Sequence, residues 1–315
     1  MAEPAWPALH EAILGWYASH GRRLAFRATR DPYAILVSEA MAQQTQAARA
    51  SESWVRFMDL FPTVAALASA TPADVLRAWH GLGYNRRALN LWRAARRIVD
   101  AHGGQVPSDL GALEDLPGVG PYTARAVAAI AFGLPVGAVD TNVRRVIGRI
   151  VAGDAGAIEP RYLQVLADEA VPGGFSGDWT HALMDLGATV CLPRRPLCPA
   201  CPAAAWCRYA ERAGGEPAGA GSPQTIDGRP AQARRPVRGT APSFPGTSRW
   251  LRGRIVDRLR SAADDEWVVM DGPIGTHDHE AVRVALEALA REGLVELEGG
   301  HGTGDAGPRV RLPVG

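Results

Sequence analysis

From Pro7 to about Tyr209 apolar residues recur at three- and four-residue spacing, with little of the alternation that marks strands, so this stretch is expected to be helical nearly throughout. Leu9, Ile13, Leu14 and Tyr17 mark a first amphipathic helix, and the apolar run beginning at Tyr33 predicts a second that reaches about Ala50. Further helices are expected from Val64 to Leu67, Pro72 to Trp79, Arg87 to Ala101, Asp109 to Asp115, Pro121 to Phe132, Asn142 to Ile150, Pro160 to Ala170 and Gly177 to Gly187. Thr71 and Ser108 stand where N-caps belong, and Gly103 and Gly104 where a helix ends.

The pattern changes at Gly214. Between 214 and 243 the chain is Gly, Pro, Ala, Ser and Arg with hardly a large apolar residue, a linker composition that cannot pack a core. Beyond it, Arg249 to Ser261 and His279 to Glu292 read as amphipathic helices. Glu266 to Met270 reads as a short strand, and Leu294 to Leu297 with Arg309 to Leu312 as a pair of strands around a Gly-rich turn. The expectation is an all-α core over 1–213 and a small winged-helix-like module over 244–315.

With 315 residues and 47% hydrophobic content, two domains plus an appendage is the natural size estimate. No apolar run approaches the roughly 20 residues needed to cross a bilayer. Met1 to His10 has neither a basic flank nor a continuous apolar core for export, so a cytoplasmic protein without a membrane partner is expected. The net charge of +1 points to no partner by itself. Clustered charge is more telling: Arg22, Arg23, Arg27 and Arg30 form one group, and Arg86, Arg87, Arg93, Arg96 and Arg97 a second. Arg144, Arg145 and Arg149 form a third, and Arg234, Arg235 and Arg238 a fourth. Each is either a solvated helix face or part of a phosphate-binding surface. All 34 basic residues are arginine. Without a lysine, Schiff-base chemistry is closed to this chain except through its N-terminal amine.

All four cysteines, Cys191, Cys198, Cys201 and Cys207, fall within seventeen residues at the spacing C-x6-C-x2-C-x5-C. Without an export signal a disulfide framework is not expected, and the cluster reads as a metal site, either structural zinc or a four-cysteine [4Fe–4S] cluster. Pro193, Pro196, Pro199 and Pro202 keep the intervening loops out of helix, and Arg194 and Arg195 are placed to project outward, to solvent or to a phosphate.

The run Leu116-Pro117-Gly118-Val119-Gly120-Pro121-Tyr122-Thr123-Ala124 opens a helix after two glycines, which leaves backbone N–H groups free to face an anion such as phosphate. About twenty residues later Asp140 stands at the start of another helix, in Val139-Asp140-Thr141-Asn142-Val143-Arg144-Arg145-Val146, a position an N-cap would also fill. A second carboxylate, Glu39, lies in the apolar run Ile35 to Met41, where a glutamate is costly unless it has a partner or a task. Two carboxylates beside a phosphate-binding hairpin are equipment for cleaving an N-glycosidic bond through an oxocarbenium-like state.

Taken together, Ser38-Glu39-Ala40-Met41-Ala42-Gln43-Gln44-Thr45-Gln46, Gly81-Leu82-Gly83-Tyr84, the hairpin Leu116 to Ala124, Val139 to Val146, Met184-Asp185-Leu186-Gly187-Ala188 and the cysteine spacing resemble the helix-hairpin-helix DNA glycosylases of the endonuclease III superfamily, and within it the MutY-type adenine DNA glycosylases. The resemblance covers about residues 7 to 210. It implies a six-helix barrel over about 30–140, a cluster domain formed by about 1–29 and 141–213, and a [4Fe–4S] cofactor on the four cysteines. Glu39 would protonate the adenine at N7 and help deliver water, and Asp140 would stabilise the sugar cation. Tyr122, standing where bifunctional relatives carry a lyase lysine, would hydrogen-bond in the pocket. Asn142 would orient the acid and Arg27 would lie near the pocket, while Gln44 and Tyr84 would enter the base stack. Leu116, Gly118, Val119, Gly120 and Thr123 of the hairpin, with Arg194 and Arg195, would contact DNA.

The resemblance therefore implies a monomeric, monofunctional enzyme of base excision repair that acts on duplex DNA carrying a mispaired base and hydrolyses adenine from opposite 8-oxoguanine or guanine. Leu24-Ala25-Phe26-Arg27 replaces the family's Leu-Pro-Trp-Arg, Thr141 replaces a glycine, and the Nudix-like C-terminal domain of many relatives is missing. Two other readings stay open: a glycosylase for thymine or uracil opposite guanine, and a noncatalytic iron–sulfur DNA-binding regulator. Gln43-Gln44-Thr45-Gln46 favours adenine, and the presence of Glu39 with Asp140 weighs against the regulator.

Overall fold

The computed structural model describes residues 5–154, 156–213, 243–263, 266–298 and 307–314. Helices follow in the order the spacing predicts: α1 (Trp6–His20), α2 (Pro32–Ala42), α3 (Ala47–Leu60), α4 (Val64–Ser69), α5 (Pro72–Ala78), α6 (Arg86–His102), α7 (Leu110–Glu114), α8 (Pro121–Phe132), α9 (Thr141–Ala152), α10 (Pro160–Glu169), α11 (Ser176–Thr189), α12 (Arg208–Ala213), α13 (Ser248–Arg260) and α14 (His279–Arg291). Three short strands, β1 (Val268–Val269), β2 (Glu296–Leu297) and β3 (Arg309–Arg311), complete the described elements. No helix among the described residues is long and apolar enough to cross a membrane.

The helix starts are written into the sequence. Proline occupies the first turn of α1, α2, α5, α8 and α10, where its missing N–H costs nothing and its fixed φ suits a helix. Thr71 caps α5 in a reciprocal capping box with Asp74, as its position suggests. The cap before α7 is Asp109, which accepts from the Ala112 N–H at 2.9 Å, rather than Ser108. Gly103 and Gly104 end α6 with positive φ, and the Gly104 N–H returns to the Ile98 carbonyl.

The second helix stops at Ala42 instead of reaching Ala50. Gln44 adopts φ 56°, a left-handed conformation that no helix continues through, and α3 restarts at Ala47 and runs on to Leu60. Gln43 to Gln46 contains neither Gly nor Pro, so nothing local marks the break.

Two compact units are formed, one from Met1–Ala65 with Arg93–Ala218, the other from Ala66–Trp92 with Gly219–Gly315. In the first, Leu9 and Ile13 of α1, Val146, Ile147 and Ile150 of α9, Leu163 and Leu166 of α10 and Trp179, Leu183 and Leu186 of α11 share one core. The other half of this unit packs α2 against α3 and α8, and α2 is buried continuously from Tyr33 to Glu39. An apolar helix buried all round has no solvated face on which to leave a charge.

In the second unit the tail is joined by Ala66–Trp92. The Ala73 N–H donates to the Pro313 carbonyl at 3.0 Å, Arg77 to the Ala262 carbonyl at 3.0 Å, and Arg260 to the Leu76 carbonyl and the Asn85 side chain at 2.8 Å each. Helices α13 and α14 pack on each other through Leu251, Ile255, Val282, Leu286 and Leu289, which are buried. The strands form one antiparallel sheet ordered β1-β3-β2, so the expected pair gains a third member: Val268 pairs with Val310, and Leu297 pairs with Val310 from the other side. The expected linker, 214–243, lies outside the described residues apart from Ser243, as does most of the Gly-rich turn before β3.

Candidate active site

Glu39 sits on the buried run of α2 at 8% exposure. Burial raises its carboxyl from 4.5 to about 7; the Tyr122 hydroxyl and the Arg27 guanidinium pull the other way, and the negative charge of Asp140 adds to the rise. At neutral pH this is a carboxyl poised between acid and base. Tyr122, on the first turn of α8, is pushed well above its ordinary value by burial and by the two carboxylates it faces, so it remains a neutral hydroxyl. The structure thus brings Glu39, Tyr122 and Asp140 together from three helices that are separate in sequence.

Asp140 is the N-cap of α9. Its Oδ1 accepts from the backbone N–H of Asn142 at 2.8 Å and of Val143 at 2.7 Å, and its Oδ2 accepts from the Asn142 side-chain amide at 2.9 Å. The helix N-terminus favours the anion, and the two backbone donors fix its orientation. Asn142 is held in turn: its Oδ1 accepts from Arg145 at 2.8 Å, and Arg145 donates onward to the carbonyls of Gly187 and Cys191, each at 2.7 Å. Gly187 has to be glycine, because a Cβ there would lie 2.5 Å from the Asn142 Cβ.

Arg27 is 8% exposed and forms a two-pronged pair with Asp185 of α11, at 2.6 and 2.8 Å; Arg22 adds its Nε at 2.7 Å and its backbone N–H at 2.8 Å to the same carboxylate. Asp185 is fully buried. Burial opposes its charge, yet the Arg27 and Arg22 hydrogen bonds outweigh that, and its pKa is lowered. His181, one turn earlier, is driven down to about 3 by burial and by the charge of Arg27, so it is neutral here. Arg27 acts on Glu39 through its charge, and that charge is anchored on Asp185.

The hairpin divides into buried supports and an open turn. Leu116, Val119 and Thr123 are buried, and the Thr123 hydroxyl accepts from the Gln43 amide at 3.3 Å. Gly118 is exposed with φ 80°, a conformation that suits glycine, and Gly120 precedes α8 as its N-cap. Gln44 is exposed on its left-handed turn, and Tyr84 belongs to the second unit, described above.

The four cysteines are half-buried, free of disulfides, and line one pocket with Arg149 and Tyr209. Arg149 secures this loop, donating to the Cys191 sulfur at 3.3 Å and to the carbonyls of Leu192 and Pro193 at 2.8 Å each, while its guanidinium lies 4.5 Å from the Tyr209 ring centre. Burial and the neighbouring sulfurs push Cys201 up to about 11 as a thiol. Among the described residues no set of three or more His, Cys, Asp or Glu side chains converges closely enough for a single metal ion. Arg194 and Arg195 are exposed beside the pocket.

Comparison with known proteins adds to this geometry. Residues 37–168 match the HhH-GPD superfamily base excision DNA repair proteins. An adenine DNA glycosylase of Mycobacterium tuberculosis is 43% identical over 259 residues, 79% of this chain and 78% of the relative. One from Mycolicibacterium smegmatis is 40% identical over 286 residues, 90% of this chain and 91% of the relative. The chain belongs to the HhH-GPD superfamily of base excision DNA repair proteins. These relatives bear out the resemblance to the MutY-type group. Among solved structures of the superfamily, a thermostable thymine-DNA glycosylase aligns with a TM-score of 0.62 at 33% identity, over 66% of this chain and 97% of that one.

Sequence reasoning missed Asp185, Arg22, Arg145, Arg149 and His181 as parts of the site. The signal for Asp185 was present: like Glu39 it is a carboxylate in an otherwise apolar helical stretch, Ala182 to Leu186. Arg145 and Arg149 stand four apart on α9, on one face, but spacing alone marks them only as part of a charge cluster.

Removing the Asp185 charge leaves Arg27 and Arg22 without their counterion. Asp185→Asn is expected to destabilise the protein by about 3–5 kcal/mol, read as a lower urea midpoint at neutral pH; an unchanged midpoint would show that the pair is dispensable.

Proposed function

We propose that this chain hydrolyses the N-glycosidic bond of adenine mispaired with 8-oxoguanine or guanine in duplex DNA, and leaves the strand uncut. The observation that carries the reading is Glu39: a buried carboxyl raised to about 7, facing Asp140 and Tyr122, in a chain similar over most of its length to adenine DNA glycosylases. Such a group keeps its proton in a substantial fraction of the molecules at neutral pH and can give it to N7 of an extruded adenine. The C1′–N9 bond then breaks with its electron pair leaving on the base. The sugar carries the positive charge, and Asp140, fixed by the N-terminus of α9, lies ready to stabilise it. Water adds at C1′ and its proton returns to the Glu39 carboxylate. Tyr122 hydrogen-bonds in the pocket, and Asn142 and Arg145 hold Asp140 in place. Gln44, Tyr84, the open turn at Gly118 to Gly120, Arg194 and Arg195 would meet the DNA.

The four cysteines line one pocket beside Arg149 and Tyr209, an arrangement that suits a metal centre held by thiolates. Cys191, Cys198, Cys201 and Cys207 would hold a [4Fe–4S] cluster, whose contribution is to tie the loop together. Purified protein is expected to carry about four iron atoms per chain and little zinc by elemental analysis; stoichiometric zinc would replace the cluster in this reading.

A second reading, release of thymine or uracil opposite guanine, is favoured by the likeness to the thymine-DNA glycosylase structure. Single-turnover assays on duplexes with adenine opposite 8-oxoguanine, adenine opposite guanine, and thymine or uracil opposite guanine separate the two. Release of thymine or uracil alone would replace the adenine reading.

Glu39→Gln is expected to abolish excision and retain DNA binding, and the wild-type rate should fall about tenfold per pH unit above about 7 as the acid loses its proton. The same shift has a cost in stability. Between 4.5 and about 7 the folded protein keeps a proton that the unfolded chain has released, so stability falls as pH rises through that window, by of order 3 kcal/mol. Glu39→Gln should accordingly be more stable than wild type at pH 8 and equal to it below pH 4.5; normal turnover, or no stability gain at pH 8, contradicts the role.

Strand cleavage through a lysine Schiff base is closed to a chain without lysine. Product strands should stay intact until treated with alkali, and borohydride should trap no covalent complex; a trapped complex would overturn the monofunctional reading.

A further inference from the structure

One buried cation of the first unit has no part in the hydrolysis. Arg149 lies in the run Val146 to Val151 of α9, which is buried throughout, and is itself 7% exposed. Taking a guanidinium out of water is costly unless an anion meets it. Arg27, with a side chain buried to a similar degree, has Asp185 at 2.6 Å, and the half-buried Arg125 has Asp168 at 2.6 Å.

Arg149 has no carboxylate partner among the described residues. Its N–H groups reach the carbonyls of Leu192 and Pro193 at 2.8 Å each and the Cys191 sulfur at 3.3 Å, and its plane lies against the Tyr209 ring. The two carbonyls explain a brace for the loop. They do not explain a full positive charge in a buried place, because none of these partners is anionic while the sulfur is a thiol.

The pocket wall favours charge of the opposite sign. Cys191, Cys198, Cys201 and Cys207 line it with Arg149, Tyr209 and apolar residues, and no Asp or Glu is among its described lining. The Cys201 sulfur accepts from the Ala203 N–H, and the Cys207 sulfur from the N–H groups of Tyr209 and Ala210. The Cys207 thiol also donates to the Arg149 carbonyl at 3.6 Å, and that proton leaves when the sulfur binds metal. Four thiolates on a zinc ion or on an iron–sulfur core make a net negative centre. Such a centre supplies the anion that Arg149 lacks.

We propose that Arg149 is the built-in counter-charge of the thiolate-bound metal centre: its guanidinium, held against the Tyr209 ring, balances the negative charge that the four cysteines acquire on binding metal. It is a positioning residue, acting through the Cys191 sulfur and through its charge, and is not a ligand. It therefore governs how firmly the metal is kept. For an iron centre it also governs how readily an electron is lost, since a neighbouring cation favours the more reduced state. The proposal rests on the reading of the four cysteines as a metal centre.

The test uses the full metal-loaded chain with Arg149→Lys, which keeps the charge and loses the planar fork, and Arg149→Gln, which keeps a donor and loses the charge. Iron and zinc content, melting temperature and the rate of metal release are measured, with bathophenanthroline disulfonate as the iron chelator and EDTA as the zinc chelator. Arg149→Gln is expected to release metal about tenfold faster than wild type, and Arg149→Lys to stay within about threefold of it. For an iron centre the midpoint potential should fall in Arg149→Gln and hold in Arg149→Lys. Equal losses in the two variants mark a brace rather than a counter-charge and overturn the proposal, as does wild-type retention in Arg149→Gln. Should Arg149→Gln give no folded protein, Arg149→Lys decides alone: release within about threefold of wild type supports the counter-charge, and faster release overturns it. Stoichiometric zinc in the wild type would defeat the iron–sulfur reading instead, and the release rates would still decide the role of Arg149. A wild type that holds neither metal defeats the metal reading and the proposal together.

Discussion

Keeping one carboxyl out of water is the constraint on which the first unit depends. Glu39 lies on a helix with no solvated face, and a charge there is affordable only where neighbours are arranged to meet it. Tyr122 and Arg27 are those neighbours, while the like charge of Asp140 works against ionisation, and each of the three is held by something further out: Tyr122 by the start of α8, Asp140 by the N–H groups of α9, Arg27 by the buried Asp185. The guanidiniums cannot release their protons near neutrality and His181 is already neutral, whereas Glu39, raised to about 7, changes its state within the ordinary pH range.

Helix α9 links two parts of the molecule that the sequence presents as separate motifs. Its N-terminus fixes Asp140, and one turn further Arg145 reaches the Gly187 and Cys191 carbonyls; another turn on, Arg149 grips the loop at Cys191 to Pro193. The cysteine loop and the carboxylate are thus mounted on one rigid element. The second unit shows a similar economy: α13 lies along residues 66–92, with Arg249 at one end on Tyr84 and Arg260 at the other on Asn85.

The helical skeleton was legible because apolar periodicity and first-turn prolines are local signals, and α8 falls on its expected bounds. What failed had no local signal. The break at Gln44 has no Gly or Pro to announce it, and the turn is set by the packing around it, including Gln43 on Thr123. The short strand expected within Glu266 to Met270 is found at Val268–Val269, but its place beside β3 joins residues some forty apart and could not be read from the pattern. Glu39, Asp140 and the cysteines could be picked out because a carboxylate in an apolar run and four clustered thiols are anomalies in one dimension. The Asp185–Arg27 pair joins residues 158 apart, and the grip of Arg249 on Tyr84 crosses a comparable stretch, so neither can be read from spacing.

The bare backbone of Gly187 gives the site a point of fragility one side chain removed from its carboxylate. It leaves no room for a methyl group against Asn142, and Asn142 is what steadies the Asp140 carboxylate. A protein altered there could fold, keep its cysteine loop and hold DNA, and still be slow. In a survey of inherited variants such a lesion would be scored as structural by its position and as catalytic by its phenotype, and both labels would describe the same displaced methyl group.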